Sequence, residues 1–122
     1  MLPAINIEFH GKKLSDFQLK RIIRAMDQPY SAPVTAYLSD VFISSSKAVG
    51  VVVGHAKKGP YERYSDGHII QTSDIQSVRK EGRFWTVTTQ TEEYVIASFQ
   101  RDMGRRSFRA LINALGLIHP AP

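Results

Sequence analysis

The chain predicts an α+β domain: an antiparallel sheet of about five to six strands with two helices, one near each terminus, packed on one face. Three observations predict it. From Val34 to Phe99 the sequence is a succession of short β-rich runs separated by tight turns. A strongly periodic helical stretch precedes that region, and a second one follows it. The expected order is β-α-β(5–6)-α in one domain over residues 1–122, with a loose tail at 117–122.

Ile5, Ile7 and Phe9 alternate with Asn6 and Glu8, the period of a half-buried strand, and Gly11-Lys12-Lys13 turns it. The first helix has a clear start. Ser15 and Gln18 have capping-box spacing, in which each side chain bonds the other's backbone, and Leu14 and Leu19 flank the cap as a hydrophobic staple. Leu19, Ile22, Ile23 and Met26 form one apolar stripe, with Lys20, Arg21 and Arg24 off it. The helix should stop before Pro29, because the residue preceding a proline is disfavoured in helical geometry.

Strands are expected over Thr35–Ser44, Val49–His55, His68–Thr72, Ile75–Arg79, Arg83–Thr89 and Tyr94–Phe99. Val49–His55 is apolar enough to sit centrally. Lys80-Glu81-Gly82 is a short hairpin turn, and the whole run reads as an antiparallel meander. Phe108, Leu111, Ile112 and Leu115 make the buried stripe of the second helix, ended by Gly116 as its C-terminal cap; Arg105, Arg106 and Arg109 lie outside that stripe.

Composition narrows the function. The absence of cysteine excludes disulfides, thiolate catalysis and cysteine-ligated metal centres. No secretory signal and no membrane-spanning apolar run is present, so a cytoplasmic location without a membrane partner is expected. Sixteen Lys and Arg against 11 Asp and Glu give a net charge of +5, which favours polyanionic partners.

Four groups of residues are candidate sites. The segment Gly54–His68 joins two strand-like runs and concentrates Lys57, Lys58, Tyr61, Arg63 and Tyr64 between turn signals. Its lysines and arginine suit an anion and its tyrosines suit stacking on a base; a solvated hairpin loop is the other reading. His55 and His68, with Asp66, would meet if the flanking strands paired, either as polar strand ends or as a metal site or acid–base pair among the loop's ligand contacts; a His-x-Glu or HExxH spacing is missing. Lys20, Arg21 and Arg24, with Arg105, Arg106 and Arg109, make two basic helix faces that could read phosphates if the helices lie side by side. Arg83-Phe84-Trp85 places aromatics on both faces of a strand, for the core, a dimer interface or another partner surface. Ser44-Ser45-Ser46-Lys47 is a loop between strands rather than a nucleophile, and the carboxylates Asp40, Asp66, Asp74 and Glu81 have no pairing spacing.

Asp66-Gly67-His68-Ile69-Ile70-Gln71-Thr72-Ser73-Asp74-Ile75, with Val87-Thr88-Thr89-Gln90-Thr91 and Tyr94-Val95-Ile96, resembles a strand pattern of small β-rich accessory proteins encoded by phages and plasmids. The resemblance implies an accessory protein of a mobile element, acting in gene regulation or against host defence. Together these readings predict a non-enzymatic, cofactor-free protein that binds nucleic acid or a nucleotide through the basic-aromatic loop. The alternative is an inhibitor or adaptor that binds a host protein or a second copy of itself, and an enzyme comes third.

Overall fold

The structure, a computed structural model, describes residues 14–56 and 66–116. The expected strand at Ile5–Phe9, the loop residues Lys57, Lys58, Tyr61, Arg63 and Tyr64, and the tail at 117–122 lie outside the described residues. Helix α1 (Asp16–Met26) is followed by β1 (Ala36–Ser44), β2 (Lys47–Val53), β3 (Ile69–Gln71), β4 (Ser77–Glu81), β5 (Phe84–Thr88), β6 (Glu93–Ile96) and helix α2 (Gly104–Ala114). The fold is α+β, and none of the described helices is long and apolar enough to cross a membrane.

Helix α1 starts where its capping box places it. Gln18 N–H donates to Ser15 Oγ at 3.2 Å, and Ser15 N–H donates to Gln18 Oε1 at 2.9 Å. These bonds satisfy two of the backbone donors that a helix start leaves over. Leu14 is buried and Leu19 packs against the same apolar cluster, as a staple requires. Ile22 and Ala25 are fully buried, and burying an isoleucine of this size contributes about 1.5–3 kcal/mol.

The six strands form one sheet in the order β3-β2-β1-β6-β5-β4. It is mixed, not purely antiparallel: β1 and β6 run parallel, pairing Ala36 with Tyr94 and Leu38 with Ile96. The cause is the connection after β3. A continuous meander would add each strand beside the last. Here the chain crosses to the opposite edge, with Ile75 N–H bonded to Ser46 O at 2.8 Å and Gln76 N–H to Thr88 O at 2.8 Å. Ile75 is buried on the way, and β4, β5 and β6 then build inward until β6 meets β1.

The helices cover opposite faces of the sheet, not one face. Val51, Val53, Phe84, Val95 and Ala97 pack with Ile22 and Ala25 of α1. Val52, Leu38, Val87, Tyr94 and Ile96 pack with Phe108, Leu111 and Ile112 of α2. Side chains alternate across a strand, so the unbroken apolar runs of β2 and β6 present apolar surface on both sides. One helix could not cover both.

Three side chains outside the cores, Gln28, Glu81 and Arg79, tie the β4–β5 hairpin down. Gln28, just past α1, donates from Nε2 to Glu81 O at 2.6 Å and accepts from Arg83 N–H at 3.2 Å, gripping the turn at Gly82. Glu81 accepts the Ser31 N–H at 2.9 Å, and Arg79 reaches Glu81 at 3.2 Å and Glu93 at 2.8 Å. The Ser31 amide is the main cause that holds the Glu81 carboxyl below the ordinary carboxylate range; burial opposes it, and Arg79 then lowers it further.

Candidate polyanion site between the helix N-termini

Both helices start against the middle of β1: Gln18 Nε2 donates to Asp40 Oδ1 at 3.3 Å, and Gly104 packs on Val41 O. A bulge shifts the β1 register between Ser39 and Phe42, with Asp40 at φ 58°. Ser98 follows β6 and locks this bend: its Oγ lies 2.8 Å from Ser39 Oγ and accepts the Asp40 N–H at 3.0 Å. The chain then runs beside β1, with Gln100 N–H bonded to Val41 O at 2.8 Å, and turns into α2 at Gly104.

Gly104 is required by close approach rather than by dihedral freedom. A Cβ there would lie 2.5 Å from Val41 O and 2.7 Å from Phe99 Cβ. Glycine thus lets the first turn of α2 lie directly on β1. Ser107 fixes the same turn, donating to Gly104 O at 2.9 Å and accepting Ile43 N–H at 2.8 Å.

Around this junction Phe17, Arg21, Ser98, Arg101, Arg105 and Arg106 line an open cleft of about 460 Å³. Arg21 is only partly exposed: its Nε donates to Ala97 O at 3.1 Å and its guanidinium lies 4.6 Å above the Phe84 ring. Arg105 lies 4.9 Å above the ring of Phe99. Such cation–π contacts hold the guanidinium groups in place while leaving edge donors for a ligand. Burial, and then Arg105, Arg24 and Arg83, pushes the Arg21 guanidinium below its ordinary value, although arginine stays charged. Arg21, Arg101, Arg105 and Arg106 form no ion pair among the described residues, and Asp102 is the one acidic residue lining the cleft. Gln100 also lines it, and its buried Oε1 has no hydrogen-bond partner among the described residues.

The start of α2 adds to this field. Its N-cap, Met103, makes no side-chain cap bond, and its first turn holds Arg105 and Arg106 with no acid. Gly104 N–H is taken by Gln100 O at 3.0 Å, but the positive end of the helix dipole still favours an anion there, and arginines supply paired donors matched to phosphate or carboxylate. The arrangement can hold and orient a multiply charged anion.

The sequence-derived candidates separate in space. Arg21 and the pair Arg105 and Arg106 come together, although they start from opposite faces of the sheet. Arg21 is not on a solvated helix face, since it docks on the sheet, whereas Lys20, Arg24 and Arg109 are exposed. Phe84 does not offer a partner surface: it is 2% exposed, under Arg21. Arg83 is exposed, and Trp85 is half-buried, edge-on to Phe108 at 5.1 Å. His55 is 4% exposed and packs edge-on to Tyr94, while Asp66 accepts the Gly54 N–H at 2.8 Å. The described residues bring together no group of His, Asp or Glu able to hold a metal.

Phe17, Ser98, Gln100 and Arg101 belong to the cleft without having been singled out in the sequence. Phe17 carried one signal, an aromatic residue off the apolar stripe. The other signal is Gly104-Arg105-Arg106, a helix start with neither cap nor acid. No family model, curated protein or solved structure matches this chain.

Proposed function

We propose that the protein is a non-enzymatic binding protein for a polyanionic ligand, nucleic acid or a nucleotide, seated in the cleft between the helix N-termini. The observation that carries this reading is the convergence of Arg21, Arg101, Arg105 and Arg106 on one concavity beside an uncapped helix start. Four like charges held together with one acid, Asp102, in the same lining are unfavourable in the free protein, and a bound anion relieves that repulsion. The loop from Lys57 to Tyr64 is a second contact in this reading, on its composition alone.

Binding to a labelled mixed-sequence oligonucleotide, followed by fluorescence anisotropy at low and moderate salt, tests it. Arg105→Ala with Arg106→Ala should weaken binding about tenfold or more and flatten its salt dependence, because each lost phosphate contact lowers the number of ions released. Absence of binding at low salt would overturn the reading.

An inhibitor or adaptor of a mobile element, such as a phage anti-defence protein, is the second reading. Phe17 at 67% exposure and Met103 at 56% favour it, because large apolar groups beside arginines also suit a protein interface. Weak dependence of partner binding on salt would distinguish it.

A further inference from the structure

A second groove adjoins the arginine cleft. Trp85, Phe99, Arg105, Phe108, Arg109 and Ile112 line an open depression of about 290 Å³ between β5 and α2. Phe99 and Arg105 line both cavities, so the two are adjacent. Their chemistry differs. The first is walled by guanidinium groups; the second is floored by aromatic rings, with Phe108 5.1 Å from both Trp85 and Phe99. Cations edge the second groove as well: Lys80 Nζ sits 5.3 Å from the Trp85 ring, and Arg109 stands exposed on α2.

We infer that these two cavities are adjacent subsites for a single-stranded nucleic acid, phosphate in the arginine cleft and unpaired base in the Trp85 groove. This rests on the polyanion reading of the cleft and goes further by naming the ligand class. A strand without pairing alternates charged phosphates with flat apolar bases, and a surface alternating guanidinium groups with aromatic rings matches that repeat. Duplexes fit the groove poorly, because their base faces are covered by the stack and only base edges and phosphates remain outside. A polyanion without bases would use the cleft and leave the aromatic floor uncovered. Charge complementarity favours nucleic acid over a protein partner, since cations border both cavities and Asp102 is their one acidic lining residue.

Trp85 is the only tryptophan of the chain, so its fluorescence reports on the groove directly. Three probes separate the outcomes: a twelve-nucleotide oligo-dT, the same oligonucleotide paired with oligo-dA, and inorganic polyphosphate. Oligo-dT should quench Trp85 through base stacking. Polyphosphate should compete for the cleft without comparable quenching, and the duplex should bind more weakly than the single strand. Trp85→Leu should lose about tenfold in affinity for oligo-dT, in the range of one lost base stack, and keep its affinity for polyphosphate. That retained affinity also shows that the variant is folded, and Arg109→Ala provides a second variant at an exposed position. Equal binding of single strand and duplex, or equal quenching by oligo-dT and polyphosphate, would overturn the base subsite and leave the polyanion reading standing. If none of the three binds, both readings fall, and the surface passes to a protein partner.

Discussion

The two helices begin in opposite ways. Helix α1 has a complete capping box and an aspartate, Asp16, in its first turn, both of which stabilise a helix start. Helix α2 has no side-chain cap and two arginines where the dipole favours acids. Its start is held instead from outside, by Gly104 lying on β1 and by Ser107 bonded to Ile43. One terminus is finished by its own sequence. The other is fixed by tertiary contact and has no side-chain cap of its own.

The largest effect should come from disturbing that external anchor. Gly104→Ala forces a Cβ against Val41 O, and the first turn of α2 must move off β1. A loss of about 2 kcal/mol is expected, typical of overpacking against a fixed neighbour, and urea unfolding measures it. A change within error would mean that α2 does not sit as closely on the sheet, and the comparison would fail.

A smaller pair of effects, opposite in sign, sharpens the contrast. Ser15→Ala should cost about 1 kcal/mol by removing the α1 cap. Arg106→Glu should stabilise by about 0.5 kcal/mol, because an acid suits the dipole at the start of α2, while anion binding weakens. Thermal melts beside an oligonucleotide titration read both. Destabilisation by Arg106→Glu would show that this arginine serves the fold rather than a ligand.

The smallest effect lies at the sheet edge, away from both helix starts. Folding lowers the Glu81 carboxyl below its ordinary value, so its contribution is present above that value and is lost as pH falls through the folded one. Wild-type stability should therefore decline more steeply than that of Glu81→Gln between about pH 5 and pH 3, read from urea midpoints. Parallel curves would remove Glu81 as a stabilising carboxylate.

What could be read from the sequence is what is set locally. The α1 cap depends on residues three apart, and the Phe108–Leu111–Ile112 face on helical periodicity, so both were legible and both appear. The central place of β2 was legible from its apolar run, which also held the sign that both faces need covering. The parallel join was not legible, because it depends on where the chain goes after β3. Nor was the cleft. Arg21 lies off the apolar stripe by spacing, and only the nearby Ala97 carbonyl and Phe84 ring draw it onto the sheet. Gly104 looks like any helix-start glycine until Val41 is placed against it.

The parallel join also bears on how the chain reaches this structure. Within each half of the sheet, neighbouring strands are consecutive in sequence, so β1-β2-β3 and β4-β5-β6 can each form by short-range closure. Only the pairing of β1 with β6 unites them, and it closes the loop running from Ala36 to Tyr94. The entropic barrier to folding is then concentrated at that seam. Ser98→Ala, which removes the bonds to Ser39 and Asp40 beside it, should slow refolding more than it speeds unfolding, a difference that chevron kinetics resolve. The bend that shapes the cleft would thus also set the pace at which the two halves become one sheet.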